Sequence, residues 1–219
     1  MKPILKTLLI LFVLSLPTQR LDAQIYAKLN GLYALAGVIN PAVEFTVSPK
    51  STIQTEIVFS PWKYVNDHGV DKPMKFGILM TEYRRYFKRH NRGWYLGANM
   101  GMMGFKMSKP QFSDGWFLEN RYSKGYGMMI GICGGFEYQF ADRWLLDAYF
   151  GWSYMLSWYN GYSLDGTIDL YPHRPVQLEK PDPFNGSHEW LPNKIGVSIG
   201  FMIFNPARRG RTGSSCAVR

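Results

Sequence analysis

Trp144-Leu145-Leu146-Asp147-Ala148-Tyr149-Phe150-Gly151-Trp152-Ser153-Tyr154-Met155-Leu156 reads in two interleaved sets. Trp144, Leu146, Ala148, Phe150, Trp152, Tyr154 and Leu156 form one, and Asp147, Tyr149, Gly151 and Ser153 belong to the other. A period of two puts successive side chains on opposite faces of a β-strand. One face is therefore large and apolar, and the other carries charge, hydroxyls and glycine.

The same pattern recurs along the chain. Strands are expected at about 25–35, 38–47, 52–60, 75–87, 94–104, 125–140, 144–158 and 194–204. In the sixth, Tyr126, Met128, Ile130, Ile132, Phe136, Tyr138 and Phe140 oppose Gly127, Gly131, Cys133, Gly135, Glu137 and Gln139. Connections after the second, fourth and sixth strands are short. Those after the third, fifth and seventh (61–73, 105–124 and 159–193) are long. Alternating short turns and long loops, with aromatic residues at the ends of an apolar face, are the marks of an outer-membrane barrel. The expected fold is all-β: an eight-stranded antiparallel up-and-down transmembrane β-barrel, with both termini in the periplasm.

The beginning of the chain fits export. Lys2 and Lys6 precede or interrupt an apolar stretch ending near Leu16, and Leu21-Asp22-Ala23 ends in the small residue a signal peptidase requires. A signal peptide over 1–23, a barrel over 24–205 and a basic flexible tail over 206–219 are the expected divisions. The apolar stretch is too short for a membrane-spanning helix. The two cysteines, Cys133 and Cys216, do not imply a disulfide framework. The net charge of +9 is concentrated in the tail and in the turn at Lys88, Arg89 and Arg92. With no basic helical face or nucleic-acid motif, a nucleic-acid partner is not expected, and attraction to anionic lipid is.

The inward face should hold Lys28, Glu44, Glu56, Glu82, Arg84, Glu137 and Asp147. A soluble barrel with an apolar cup is the rival fold, but seven unpaired charges cannot line a dry cup. Five carboxylates and two cations are expected in the periplasmic half of the lumen. They suit an electrostatic plug, since an eight-stranded lumen is filled by its own side chains; a proton- or cation-binding site is the alternative. Met80, Met103, Met129 and Met155 should face inward nearer the outer end, as adaptable packing or as a pocket for an apolar ligand.

No catalytic residues are assigned. Ser187-His188-Glu189 has the residue types of acyl transfer, but adjacent residues cannot converge in a line of hydrogen bonds. No metal-ligand spacing, phosphate loop or dinucleotide motif is present, so no metal or other cofactor is expected.

Thr81-Glu82-Tyr83-Arg84-Arg85-Tyr86-Phe87, Gly93-Trp94-Tyr95-Leu96-Gly97, Gly125-Tyr126-Gly127 and Arg143-Trp144-Leu145-Leu146-Asp147 together resemble the DUF3575 outer-membrane barrels of Bacteroidetes. The resemblance covers most of the chain after residue 23. It implies an eight-stranded barrel of unassigned activity whose genes often lie near fimbrillin-type adhesin genes. The functional expectation is a non-enzymatic outer-membrane protein supporting envelope integrity or meeting a partner, such as a fimbrial or other surface protein, through 61–73, 105–124 and 159–193. A lipid-binding or lipid-modifying barrel and a small pore are the alternatives.

Overall fold

The computed structural model describes residues 24–108, 118, 121–164 and 188–205. The expected signal peptide and basic tail, together with Cys216, His173 and Ser187, lie outside the described residues. Strands β1 (Ile25–Asn30), β2 (Pro41–Ser48), β3 (Ser51–Phe59), β4 (Tyr64–Asp67), β5 (Val70–Tyr86), β6 (Gly93–Met107), β7 (Arg121–Gln139), β8 (Trp144–Ser163) and β9 (His188–Phe204) form one antiparallel sheet. Pairing of β3 with β5, from Ser51↔Arg85 to Phe59↔Gly77, closes eight strands into a ring. Pairing of β1 with β9 brings Ile25 opposite Phe204, so the described chain begins and ends at the end bearing the short turns.

The expected alternation holds in every strand of the ring. Lys28, Glu44, Glu56, Glu82, Arg84, Glu137 and Asp147 are buried inside, while Ile132 is 69%, Met100 64% and Ile130 62% exposed on the outside. Several expected boundaries need correction. The first strand stops at Asn30, five residues early. Asn30 accepts from the backbone N–H groups of Leu32 (2.9 Å) and Tyr33 (3.4 Å), capping a single helical turn, α1 (Gly31–Leu35). Tyr33 and Leu35 therefore leave the strand face assigned to them.

The expected loop at 61–73 contains a hairpin. His68 (φ 53°) and Gly69 (φ 82°) form its two-residue turn, and β4 pairs with the start of β5. Two successive left-handed residues match the right-handed twist of the flanking strands. The expected loops at 105–124 and 159–193 are shortened at both ends, because β6 runs to Met107, β7 starts at Arg121, β8 runs to Ser163 and β9 starts at His188.

Tyrosine size explains two of the inward glycines. A Cβ on Gly135 would lie 2.5 Å from the Tyr95 hydroxyl and 2.8 Å from the Ala148 carbonyl; one on Gly196 would lie 2.6 Å from the Tyr149 hydroxyl. The outward Gly104 has nothing within 4 Å of that position. Gly135→Val should therefore destabilise the barrel by about 1–3 kcal/mol through overpacking, whereas Gly104→Val should leave the urea midpoint unchanged or higher. Equal losses from both would contradict the assigned faces.

Candidate functional site

The lumen concentrates the chemistry. β1 contributes Lys28, β2 Glu44, β3 Glu56, β5 Glu82 and Arg84, β7 Glu137, β8 Asp147 and β9 Lys194, all buried. Each projects inward because of its parity on its own strand. Ring closure then brings together residues more than a hundred positions apart.

Lys28 lies against three carboxylates: Glu44, Glu137 and, at 2.9 Å, Asp147. Arg84 bridges four. Its Nε donates to Glu82 at 2.5 Å, and Nη1 donates to Asp147 at 2.7 Å and Glu137 at 3.1 Å, with Glu44 at 3.6 Å. Its guanidinium also lies 4.6 Å from the centre of the Tyr95 ring. Lys194 contacts Glu82 and, at 3.1 Å, Glu56.

Neutral donors complete the set. Tyr95 donates to Asp147 (2.9 Å), Tyr86 to Glu44 (2.9 Å), Asn91 to Glu137 (3.3 Å) and Gln54 to Glu56 (3.1 Å). Thr52 donates to Glu44 as well.

All seven expected lumen residues come together, with two corrections. Two cations were expected, and the described residues supply three to this network, the third being Lys194. Its signal lay in parity, since it stands two residues before Gly196 and four before Ser198 on the inward face. Glu56 pairs directly with Met80 and so stands level with the methionines rather than in the periplasmic half. The methionines form a tier above the ions: Met80, Gly101, Met129 and Met155 are successive partners from β5 to β8. Met80, Met129 and Met155 are buried and Met103 is half-buried. Gly101 leaves room for its neighbours, with Met129 Cγ 3.4 Å from its Cβ position.

A second buried polar group closes the long-connection end. Lys72 Nζ donates to Asp67 Oδ2 at 2.9 Å and to the Leu118 carbonyl at 2.5 Å, and the Leu118 N–H donates to the same Asp67 oxygen at 3.0 Å. Hydrogen bonding from Lys72 is the main reason that the Asp67 carboxyl is held down at about 2. This clasp ties the β4–β5 hairpin to the chain between β6 and β7.

His68 pairs with Asp67 (2.8 Å) at one end of the barrel, and His90 with Asn91 (2.7 Å) at the other. No group of three or more His, Cys, Asp or Glu among the described residues is disposed to hold a metal ion. The network's chemical capacity is electrostatic. Five carboxylates against three cations leave an excess of two formal negative charges among these described lumen residues.

Arg84 touches more of these carboxylates than any other cation described. Arg84→Ala strands buried charge, and the expected loss is roughly 3–5 kcal/mol of stability, read from the urea midpoint with β-structure followed by circular dichroism. An unchanged midpoint would show that the carboxylates satisfy one another without it.

A family model described as a protein of unknown function (DUF3575) matches residues 6–203. No curated protein and no solved structure matches the chain. The match runs through every strand of the ring and includes every residue of the ion network, and the chain belongs to the DUF3575 family.

Proposed function

We propose that this protein is an integral outer-membrane β-barrel without enzymatic activity, its lumen sealed by the ion network and its longer connections presented at the cell surface. One observation carries the reading: the barrel is inverted relative to a water-soluble one. Its interior is charged, and its exterior is a broad, mainly apolar belt. A soluble monomer rarely exposes apolar patches beyond a few hundred Å².

The belt has the dimensions of a bilayer. On β7 the outward residues from Tyr126 to Tyr138 are Tyr126, Met128, Ile130, Ile132, Gly134, Phe136 and Tyr138. At about 3.4 Å per residue and about 40° of strand tilt, that stretch covers about 30 Å along the membrane normal. Aromatic pairs rim both ends. Trp94–Phe136 (5.2 Å) and Trp144–Phe201 (4.8 Å) lie toward the short turns, and Tyr126–Trp158 (5.5 Å) and Tyr122–Tyr162 (5.1 Å) toward the long connections. Such girdles sit at headgroup depth.

Short turns face the periplasm in such barrels, which puts the β4–β5 hairpin and the connections after β6 and β8 outside. Exposed Trp62, Tyr64 and Trp190 at that end suit contact with a fimbrial or other surface protein. The packed lumen argues against a conducting pore.

Membrane fractions analysed on detergent gels with and without boiling test the reading. The expected result is a heat-dependent shift confined to the outer-membrane fraction, with no single-channel conductance from the purified barrel in planar bilayers. A periplasmic protein with no shift would overturn it.

A further inference from the structure

One row on the outside of the barrel breaks the apolar pattern. Lys75 on β5 faces Lys106 on β6, and Lys106 faces Lys124 on β7; Asn160 on β8 continues the row. All three lysines stand at outward positions of their strands. Directly opposed residues of antiparallel strands have Cα atoms about 4.5–5.5 Å apart, and like charges placed there are destabilising. Among the described residues no carboxylate pairs with any of the three, or with nearby Lys63. Among the described residues the fold thus concentrates positive charge on one face without a carboxylate paired to it.

The row's depth is fixed by its neighbours. Stacked Tyr126–Trp158 lies on the belt side of Lys124, and stacked Tyr122–Tyr162 lies beyond it. Lys106 Nζ is 4.9 Å from the centre of the Tyr122 ring. The lysines therefore occupy the aromatic tier of the long-connection end, where headgroups begin.

Just beneath the row the surface is hollow. Gly77 pairs with Gly104, Phe59 flanks Gly77, and a Cβ on either glycine would meet nothing within 4 Å. A cavity of about 210 Å³ lies there, against Phe59, Gly77 and Gly104. A second, of about 400 Å³, is lined by Phe59, Lys63, Tyr64, Lys75 and Lys106. Ammonium groups thus stand above an apolar groove that opens toward the hydrocarbon.

We propose that this face binds a phosphorylated glycolipid of the outer leaflet, its phosphates held by Lys63, Lys75, Lys106 and Lys124 and one acyl chain lying along the Gly77–Gly104 groove. Lysine ammoniums serve as point-charge donors to phosphate, and the bound phosphates relieve the repulsion within the row. An apolar groove below a cationic row selects an amphipath over a free anion. The proposal rests on the membrane reading above.

The test uses the folded barrel in zwitterionic detergent micelles, titrated with bisphosphorylated lipid A, with chemically dephosphorylated lipid A and with inorganic phosphate, and followed by tryptophan fluorescence. Bisphosphorylated lipid A should bind at least tenfold more tightly than the dephosphorylated form, and millimolar inorganic phosphate should not displace it. The triple variant Lys75→Ser, Lys106→Ser, Lys124→Ser should lose that preference. Gly77→Leu with Gly104→Leu, which fills the groove but keeps the charge, should weaken binding of both lipids.

Comparison of the two lipids on the unsubstituted protein decides the matter even if a variant fails to fold. Equal binding of both lipids would overturn the proposal and leave the row to an acidic protein partner. Displacement by millimolar phosphate would overturn it in favour of a free-anion site. A barrel that shows the heat-dependent shift yet fails to discriminate loses the lipid site alone; one found in the periplasm loses the membrane reading too.

Discussion

Eight charged side chains share a space that water barely enters, and they are tolerable there only because each touches an opposite charge. Lys28, Arg84 and Lys194 come from three different strands, and their carboxylate partners come from five. Lys28–Glu137, Arg84–Asp147 and Lys194–Glu56 join strands that are not neighbours in the sheet, so opening the ring would expose these cross-lumen pairs at once. The polar interior thus makes closure cooperative. It also rejects sliding of one strand past another, because a one-residue slip would send the charges outward.

Packing around the network follows from the same constraint. Arginine and tyrosine rings occupy much of the lumen, so the strands opposite them carry glycine: Gly135 opposes the Tyr95 hydroxyl and Gly196 opposes that of Tyr149. Those tyrosines extend the network, Tyr95 donating to Asp147 and Tyr149 accepting from Asn30 at 2.9 Å. Asn30 also caps α1, which links the polar interior to the chain's exit at the long-connection end. The methionine tier lies between the ions and that exit. With the inside filled by charge and its partners, the apolar residues have only the outer face to occupy, and the membrane reading grows from that distribution.

Strand identity, face assignment and the seven lumen charges were legible in the sequence because a period of two is a local signal and closure of the ring follows from strand count. Pairing was not legible. Nothing near Lys28 names Glu137 as its neighbour, and the contact depends on register around the whole ring. Lys194 was legible only backwards, by parity from Gly196 and Ser198, because a β-bulge between Leu191 and Lys194 shifts the register before it. The alternation therefore cannot be followed through that point from Glu189. The β4–β5 hairpin was missed because its turn is His68-Gly69 rather than the Asn-Gly or Asp-Gly pair that marks such turns. The lysine row is invisible along the chain, since Lys75, Lys106 and Lys124 meet only across strands.

The central claim is that the apolar face of the ring meets lipid while its charged face is sealed. Nitroxide labels placed singly at 126, 128, 130, 132, 136 and 138, in a Cys133→Ser, Cys216→Ser background reconstituted into bilayers, test it through power saturation by oxygen and by a water-soluble nickel chelate. The account predicts that oxygen accessibility peaks near 132 and falls toward 126 and 138, with nickel accessibility following the reverse profile. High nickel accessibility at 130 and 132 would put that face in water and contradict the account.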